Sequence, residues 1–151
     1  MRLSKETQYA LRGLTELAQQ PEGTIVDIGR LAASAHLPRA FLAQIFRRLA
    51  LHGLLRAYRG RSRGFSLASP AAQVSVRSVV EAIEGPRFFE RCVFFSDECS
   101  ERRPCQLHAM WADIRPSLMA QIDSTSVQNL AAAKSELDDL AKGERADMEA
   151  G

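Results

Sequence analysis

The sequence predicts a mainly α-helical protein with one small β-hairpin and a long helix in its C-terminal half. Apolar residues recur at helical spacing over most of the 151 residues. Only residues 54–67 depart from this period, with short apolar segments on either side of a turn rich in glycine and arginine. A chain of this length can bury a core without disulfides. Its apolar runs fall short of the roughly 18–20 residues of a membrane span.

Three helices are predicted in the first third of the chain. The first spans about residues 5–19 after a capping Ser4, and the second spans about residues 27–33. The third spans about residues 38–52 and ends at Gly53, which suits a left-handed C-cap. The last two helices and their tight connection match a helix-turn-helix. The apolar stripe of the third helix is expected to contain Phe41, Leu42, Ile45, Phe46 and Leu49.

Residues 1–68 are therefore expected to form a winged helix-turn-helix that binds DNA. The second helix of the motif would lie in the major groove, with Arg39, Ala40 and Gln44 toward the base edges. Further along the same helix, Arg47 and Arg48 suit phosphates or the negative end of the helix dipole.

The hairpin turn is the predicted wing. It presents Arg59, Arg61 and Arg63, and arginines in such a turn can contact phosphates or enter a minor groove. The alternative is an exposed polar turn without a ligand.

Charge is divided unevenly along the chain. Residues 1–68 contain eleven Lys and Arg against four Asp and Glu, whereas residues 69–151 contain nine against fourteen. A basic first half indicates contact with a polyanion, and an arginine-rich solvated surface is the alternative.

Residues 69–130 are expected to hold a sensor loop and a dimerisation helix. A short helix is predicted over about residues 76–84, capped by Ser75 and closed by Gly85. The long helix begins at Cys105 and extends to about residue 123. An apolar-striped helix of this kind typically forms a dimer arm, and the alternative is a helix packed on its own domain. Its apolar positions are Leu107, Met110, Trp111, Ile114, Leu118 and Ile122.

The remaining residues, 131–151, are a charged, alanine-rich tail, expected to be a frayed helix or disordered. The N-terminus lacks the long apolar run and cleavage site of a secretory signal, so a cytoplasmic protein is expected.

Three cysteines, Cys92, Cys99 and Cys105, lie within fourteen residues, and His108 follows one helical turn later. An odd number of clustered thiols argues against a disulfide framework and favours metal or redox chemistry. The tight Cys-x-x-Cys pairs typical of structural zinc are absent from the sequence, and the wider spacing suits an iron–sulfur cluster. A thiol–disulfide switch, a zinc site that includes His108, and a surface role for His108 remain open at this point.

Together these motifs resemble the iron–sulfur branch of the Rrf2 family of bacterial winged-helix regulators, over about residues 1–130. The resemblance rests on the opening Met1-Arg2-Leu3-Ser4 with Tyr9-Ala10, on Leu42, Ile45 and Leu49 of the third helix, on Gly53-Leu54 and Arg59-Gly60, and on the three cysteines with Cys105-x-x-His108 and Trp111. The IscR branch is the most similar, and the NsrR branch less so.

The resemblance implies a homodimer crossed by the long helices, which binds a double-stranded DNA operator. It implies that Cys92, Cys99, Cys105 and His108 ligate a 2Fe–2S cluster, with 4Fe–4S as the alternative. In the NsrR branch a carboxylate near the N-terminus of the partner subunit is a ligand, and the matching position here is Gln8. The chain also differs from the family at Arg61 and Arg63, which replace small wing residues, and one cysteine spacing is a residue longer than in IscR.

The predicted function is that of a transcriptional regulator whose operator affinity follows cluster state, and not that of an enzyme. A cluster-free regulator with a thiol switch or zinc is one alternative. A small iron–sulfur electron carrier is another, and it leaves the arginine-rich wing unexplained.

Overall fold

The computed structural model describes residues 2–92, 94 and 100–150, with side chains through 142 and at 145. It confirms the predicted fold class, because six α-helices and one antiparallel β-hairpin account for the regular structure of these residues. In chain order the elements are α1 (Lys5–Ala18), α2 (Ile28–Ala35), α3 (Arg39–Leu51), β1 (Leu55–Tyr58), β2 (Gly64–Leu67), α4 (Val76–Glu84), α5 (His108–Ser124) and α6 (Val127–Ala150), with short 3₁₀ turns at Gly60–Ser62, Ala71–Gln73 and Phe88–Glu90.

Local capping sets the ends of the first three helices. The Ser4 side chain accepts a hydrogen bond from the backbone N–H of Thr7, and Asp27 accepts one from Gly29, so each satisfies a free donor in a first turn. His36 ends α2 in the left-handed conformation with φ of 53°, and Gly53 follows α3 with φ of 77°. The predicted starts and stops therefore agree with the structure to within about two residues.

The principal core lies between α1, α2, α3 and the hairpin. Leu14, Leu42 and Phe46 are fully buried there. Gly13 allows α1 to approach α3 closely, because a Cβ at that position would lie 2.8 Å from Leu42 Cδ1 and from Phe46 Cε1. The ring of Phe46 packs edge-on against Phe65 of β2, with the ring centroids 5.4 Å apart, and this contact attaches the hairpin to the helices.

The hairpin pairs Leu55 with Leu67 at its base and Tyr58 with Gly64 at its tip. A backbone bridge on its other edge joins β2 to the loop before α2, since Val26 and Phe65 exchange hydrogen bonds of 2.9 and 3.0 Å. The bridge at Phe65 thus attaches the wing to the loop before α2 close to its tip, one residue from Gly64.

The segment from residue 131 is helical, which is one of the two states expected for it. It belongs to α6, which extends to Ala150 and whose first turns pack on α1. Val127 is fully buried, Lys134 lies 3.4 Å from the buried carboxylate of Glu16, and Gln19 donates to Ser135. These tertiary contacts supply the stability that helical propensity alone does not.

The long helix α5 presents an apolar surface outward. Trp111 is its buried residue, whereas Met110 and Ile114 are about half exposed. None of the helices in the described part of the chain combines the length and the hydropathy of a membrane span.

Candidate functional site

The outward face of α3 carries most of the residues predicted to face DNA bases. Ala40, Gln44 and Arg47 recur at helical spacing on the side opposite the buried core residues, and all three are exposed. Arg39 is also exposed and lies beside α2, where a Cβ on Gly29 would come within 3.4 Å of its Nε. Three of these four side chains therefore share one helix face, and Arg39 lies toward α2.

Arg48 does not share that face. Its guanidinium donates a 2.7 Å hydrogen bond to the carbonyl of Ile83 at the end of α4, and it forms a 3.2 Å ion pair with Glu6 of α1. The sequence suggested phosphate contact or an interaction with its own helix dipole. In the structure Arg48 instead connects α3 to α1 and α4 through these two contacts, because it lies on the flank of α3 where the three helices meet.

Phe41 also departs from its predicted position. The sequence places it in the buried stripe of α3, but 43% of its surface is exposed, whereas Phe46 is fully buried. The Phe41 ring packs edge-on against Tyr9 of α1, with the centroids 5.9 Å apart. An aromatic ring is thus fixed in the solvent-facing part of the first turn of the helix.

The wing presents Arg59, Arg61 and Arg63 to solvent, together with Arg56 of β1, which the sequence analysis did not single out. Strand alternation after the buried Leu55 could have predicted the outward position of Arg56. Within the described part of the chain, none of the four arginines forms a salt bridge. Their positive charges are available to a polyanion.

A polar junction joins the end of α4 to the start of α1. The Glu84 carboxylate accepts a 2.8 Å hydrogen bond from the backbone N–H of Ser4 and another from the Thr7 hydroxyl. Burial of this carboxyl acts to raise its pKa, but the hydrogen bonds from Ser4 and Thr7 and the nearby Arg48 charge outweigh burial, so the pKa of Glu84 lies below its ordinary value.

Replacing Glu84 by glutamine is expected to lower the free energy of unfolding by about 1–2 kcal/mol at pH 7. A carboxyl whose folded pKa is depressed stabilises the fold above its unfolded pKa, and this contribution is lost as pH falls through the folded pKa. The difference between variant and wild type should therefore shrink between pH 7 and about pH 3. Urea unfolding at fixed protein concentration measures it, with exposed Glu22→Gln as the control. A difference that does not change with pH would contradict this assignment.

The thiols lie beyond the same, C-terminal end of α4, after the turn at Phe88–Glu90. The Sγ atoms of Cys92, which is buried, and Cys105, which is half-buried, are 3.9 Å apart. His108 begins α5 and lines one cleft with Cys92 and Trp111. The structure thus brings Cys92 and Cys105 together and places His108 on the same cleft as Cys92, while Cys99 lies outside the described residues.

This donor pair fits a shared metal centre. Two thiolates bound at about 2.3 Å to one tetrahedral metal ion lie about 3.8 Å apart, close to the observed separation. A disulfide would need about 2.05 Å, so the observed pair is non-bonded. Among the described residues, the model contains no set of three Cys, His, Asp or Glu side chains already grouped as metal ligands. A complete ligand set therefore requires Cys99 or a movement of His108.

Taken together, a helix-turn-helix, an arginine-bearing wing and a projecting apolar helix define a winged-helix regulator that binds DNA. The family model described as "Rrf2: Iron-dependent Transcriptional regulator" matches residues 3–133, and the chain belongs to this family. Members of this family are transcriptional regulators and not enzymes.

Individual relatives agree with this assignment. Rv1287 of Mycobacterium tuberculosis, whose name places it among HTH-type transcriptional regulators, is 31% identical over 87% of this chain and 81% of its own length. The HTH-type transcriptional regulator IscR of Cronobacter sakazakii is 26% identical over 91% of this chain and 85% of its own. Among solved structures, CymR, the global cysteine regulator of B. subtilis, shares the fold with a TM-score of 0.72 at 22% identity, over 88% of this chain and 98% of its own.

Proposed function

We propose that the chain is a homodimeric transcriptional regulator whose affinity for its DNA operator is controlled by an iron–sulfur cluster bound to Cys92, Cys99, Cys105 and His108. The observation that carries the sensor part is the 3.9 Å approach of the Cys92 and Cys105 sulfurs in the cleft that His108 lines. When bound, a cluster of this kind supplies a visible chromophore and a group sensitive to redox state. The resemblance of Cys105-x-x-His108 to the IscR branch favours 2Fe–2S, with 4Fe–4S as the alternative.

The DNA-binding part rests on charge and placement. Arg39, Ala40, Gln44 and Arg47 are exposed on the helix that would enter the major groove. The wing adds Arg59, Arg61 and Arg63, which suit backbone phosphates or a narrow minor groove. Arg48 is left out of this interface because Glu6 and Ile83 already bind it.

A second copy of the chain would cover the apolar side of α5. Met110 and Ile114 are each about half exposed there, and a two-fold axis at this helix would present two recognition helices to a pseudo-palindromic operator. The same helix adjoins the thiols, because it begins at His108. The proposed ligands therefore lie next to the helix that would form the dimer interface.

Hydrogen bonds connect the segment that holds the thiols to α5, and α4 to the recognition helix α3. Arg115 of α5 donates a 3.0 Å hydrogen bond to the carbonyl of Phe89, three residues before Cys92. At the end of α4, Ile83 accepts the hydrogen bond from Arg48 of α3. A change in the segment that holds the thiols would thus tilt α4 and α5 against α3, and small rigid-body shifts suffice because the half-sites have a fixed spacing.

Anaerobic purification tests the proposal, with an absorption spectrum, iron and sulfide assays per subunit, and operator affinity before and after cluster removal. A coloured protein with stoichiometric iron and sulfide, whose operator affinity changes when the cluster is removed, is the expected result. Operator affinity that is identical in both forms would overturn cluster control. The iron count distinguishes two from four irons.

A thiol switch is the second candidate, because the Cys92 and Cys105 sulfurs already lie 3.9 Å apart. Hydrogen peroxide would oxidise one thiol to a sulfenic acid and release one water, and attack by the second thiol would then form the disulfide and release a second water. This alternative predicts a colourless protein after cluster reconstitution and an operator affinity that changes with peroxide and recovers with dithiothreitol.

Replacing Arg61 by alanine is expected to weaken binding to every DNA sequence and to reduce the slope of log affinity against log salt by about 0.9, the contribution of one phosphate. Titrations of the purified protein with an operator and with unrelated duplex at several salt concentrations measure both effects. Arg145→Ala, an exposed charge change on α6, is the control and should leave the slope unchanged. Loss of affinity for one sequence alone would contradict a phosphate contact.

A further inference from the structure

Phe41 of α3 remains largely exposed although its ring also packs against Tyr9. It is the third residue of α3, and 43% of its surface is open, although the helix has a well-filled core on its other side. Burying this ring against a partner would remove apolar surface from water, which is favourable. The exposed ring therefore indicates a binding contact, and its place on α3 indicates which partner.

The ring is fixed rather than free. Tyr9 of α1 contacts it edge-on at an interplanar angle of 81°, and Tyr9 is itself half-buried against the core. A side chain already held in one orientation loses little conformational entropy when it contacts a ligand. Phe41 is thus preorganised for one particular contact.

Its surroundings on the helix match a DNA groove. Ala40 precedes it, Gln44 follows one helical turn later, and exposed Arg39 and Arg47 flank the group. This small apolar area within a basic, helix-shaped surface complements a negatively charged groove. In the major groove, the apolar group displayed by the base pairs is the C5-methyl of thymine.

We propose that Phe41, with Ala40, contacts thymine methyl groups in the operator, beside a base pair whose adenine is bound by Gln44. A glutamine suits adenine because it can bind N6 and N7 together, and an apolar side chain suits the thymine methyl. Each half-site would then carry at least one thymine whose methyl, rather than its hydrogen-bonding edge, determines affinity. This inference rests on the proposed DNA-binding function and assigns it a base preference.

The test uses DNA selected by the full-length protein from a randomised duplex pool. In the selected duplex, each thymine is replaced singly by deoxyuridine, which removes the methyl and keeps every hydrogen-bonding group. For wild type we expect about a three- to fivefold loss of affinity at one or more positions, the value of one buried methyl group. Phe41→Ala should show a similar loss on the original duplex and should be insensitive to deoxyuridine at one of those positions.

Leu51→Ala is the matched control, because Leu51 is an exposed apolar residue at the far end of α3, with 87% of its surface open. It should keep the full sensitivity to deoxyuridine at every position. Circular dichroism and thermal unfolding check that Phe41→Ala is folded, and the deoxyuridine series on wild type needs no variant at all.

The outcomes separate the two proposals. If the protein selects DNA but no deoxyuridine position affects wild type, or if Phe41→Ala keeps full sensitivity at all of them, the thymine contact is overturned while DNA binding stands. If no duplex is selected and none is bound, DNA binding itself fails. If Phe41→Ala binds the thymine duplex and the deoxyuridine duplex more weakly than wild type by the same factor, the ring and the methyl group act independently. The ring would then have a structural role with Tyr9, which also overturns the contact.

Discussion

Replacing Cys105 by serine is expected to reduce bound iron and acid-labile sulfide to near zero and to abolish the visible absorption of the anaerobically purified protein. Serine keeps the size of the side chain but removes the thiolate that lies 3.9 Å from Cys92. Operator affinity should become that of cluster-free wild type. We expect this affinity to differ by about 5- to 150-fold from that of the cluster-loaded protein, the usual range for coupling between two sites. It should no longer respond to cluster reconstitution.

Ser100→Ala is the control for this variant, since Ser100 lines the same cleft and is not a proposed ligand. It should retain iron, sulfide and the response to reconstitution. A Cys105→Ser protein that still binds stoichiometric iron and sulfide would exclude Cys105 from the ligand set. If wild type is colourless and Cys105→Ser binds the operator with unchanged affinity, both hypotheses, cluster control and the thiol switch, are excluded.

Replacing Gly64 by alanine is expected to destabilise the protein by about 3 kcal/mol, which corresponds to a fall in Tm on the order of 10 °C for a chain of this length. Gly64 begins β2 with φ of 151°, and a Cβ there would collide with the backbone carbonyl of Val26. Since Val26 and Phe65 exchange two backbone hydrogen bonds, the collision cannot be relieved without breaking this bridge. DNA affinity should fall as well, because the wing is anchored through it.

Gly60→Ala supplies the comparison. Gly60 also has a positive φ, of 83°, but a Cβ there would meet nothing within 4 Å. Only the conformational strain of about 1 kcal/mol is expected. Thermal unfolding of both variants distinguishes the steric from the conformational cost. Equal destabilisation of the two proteins would show that contact with Val26 is unimportant.

The sequence by itself determined the features that depend on neighbouring residues. The cap at Ser4, the left-handed residue at Gly53 and the bounds of α4 at residues 76–84 are encoded within a few positions of each helix end. The hairpin followed from glycines and a change in apolar period, and the clustering of the thiols was visible as spacing. Family membership followed from the same motifs.

Tertiary packing decided which side chains are covered. Phe41 and Phe46 both border the apolar stripe of α3, and its 3.6-residue period cannot rank them. The structure buries Phe46 because Gly13 lets α1 approach closely at that point, and it leaves Phe41 at the edge against Tyr9. Arg48 contacts the neighbouring helix α4 for a related reason, since the carbonyl of Ile83 lies within hydrogen-bond distance of its guanidinium.

Two other features needed the folded chain for the same reason. The packing of the first turns of α6 on α1 follows from the burial of Val127 and from the pairing of Lys134 with Glu16, which is more than one hundred residues away in sequence. The 3.9 Å approach of Cys92 and Cys105 depends on how α4 and α5 pack through Arg115 and Phe89. Periodicity and capping act over one or two helical turns, whereas burial and side-chain pairing depend on which distant surfaces meet.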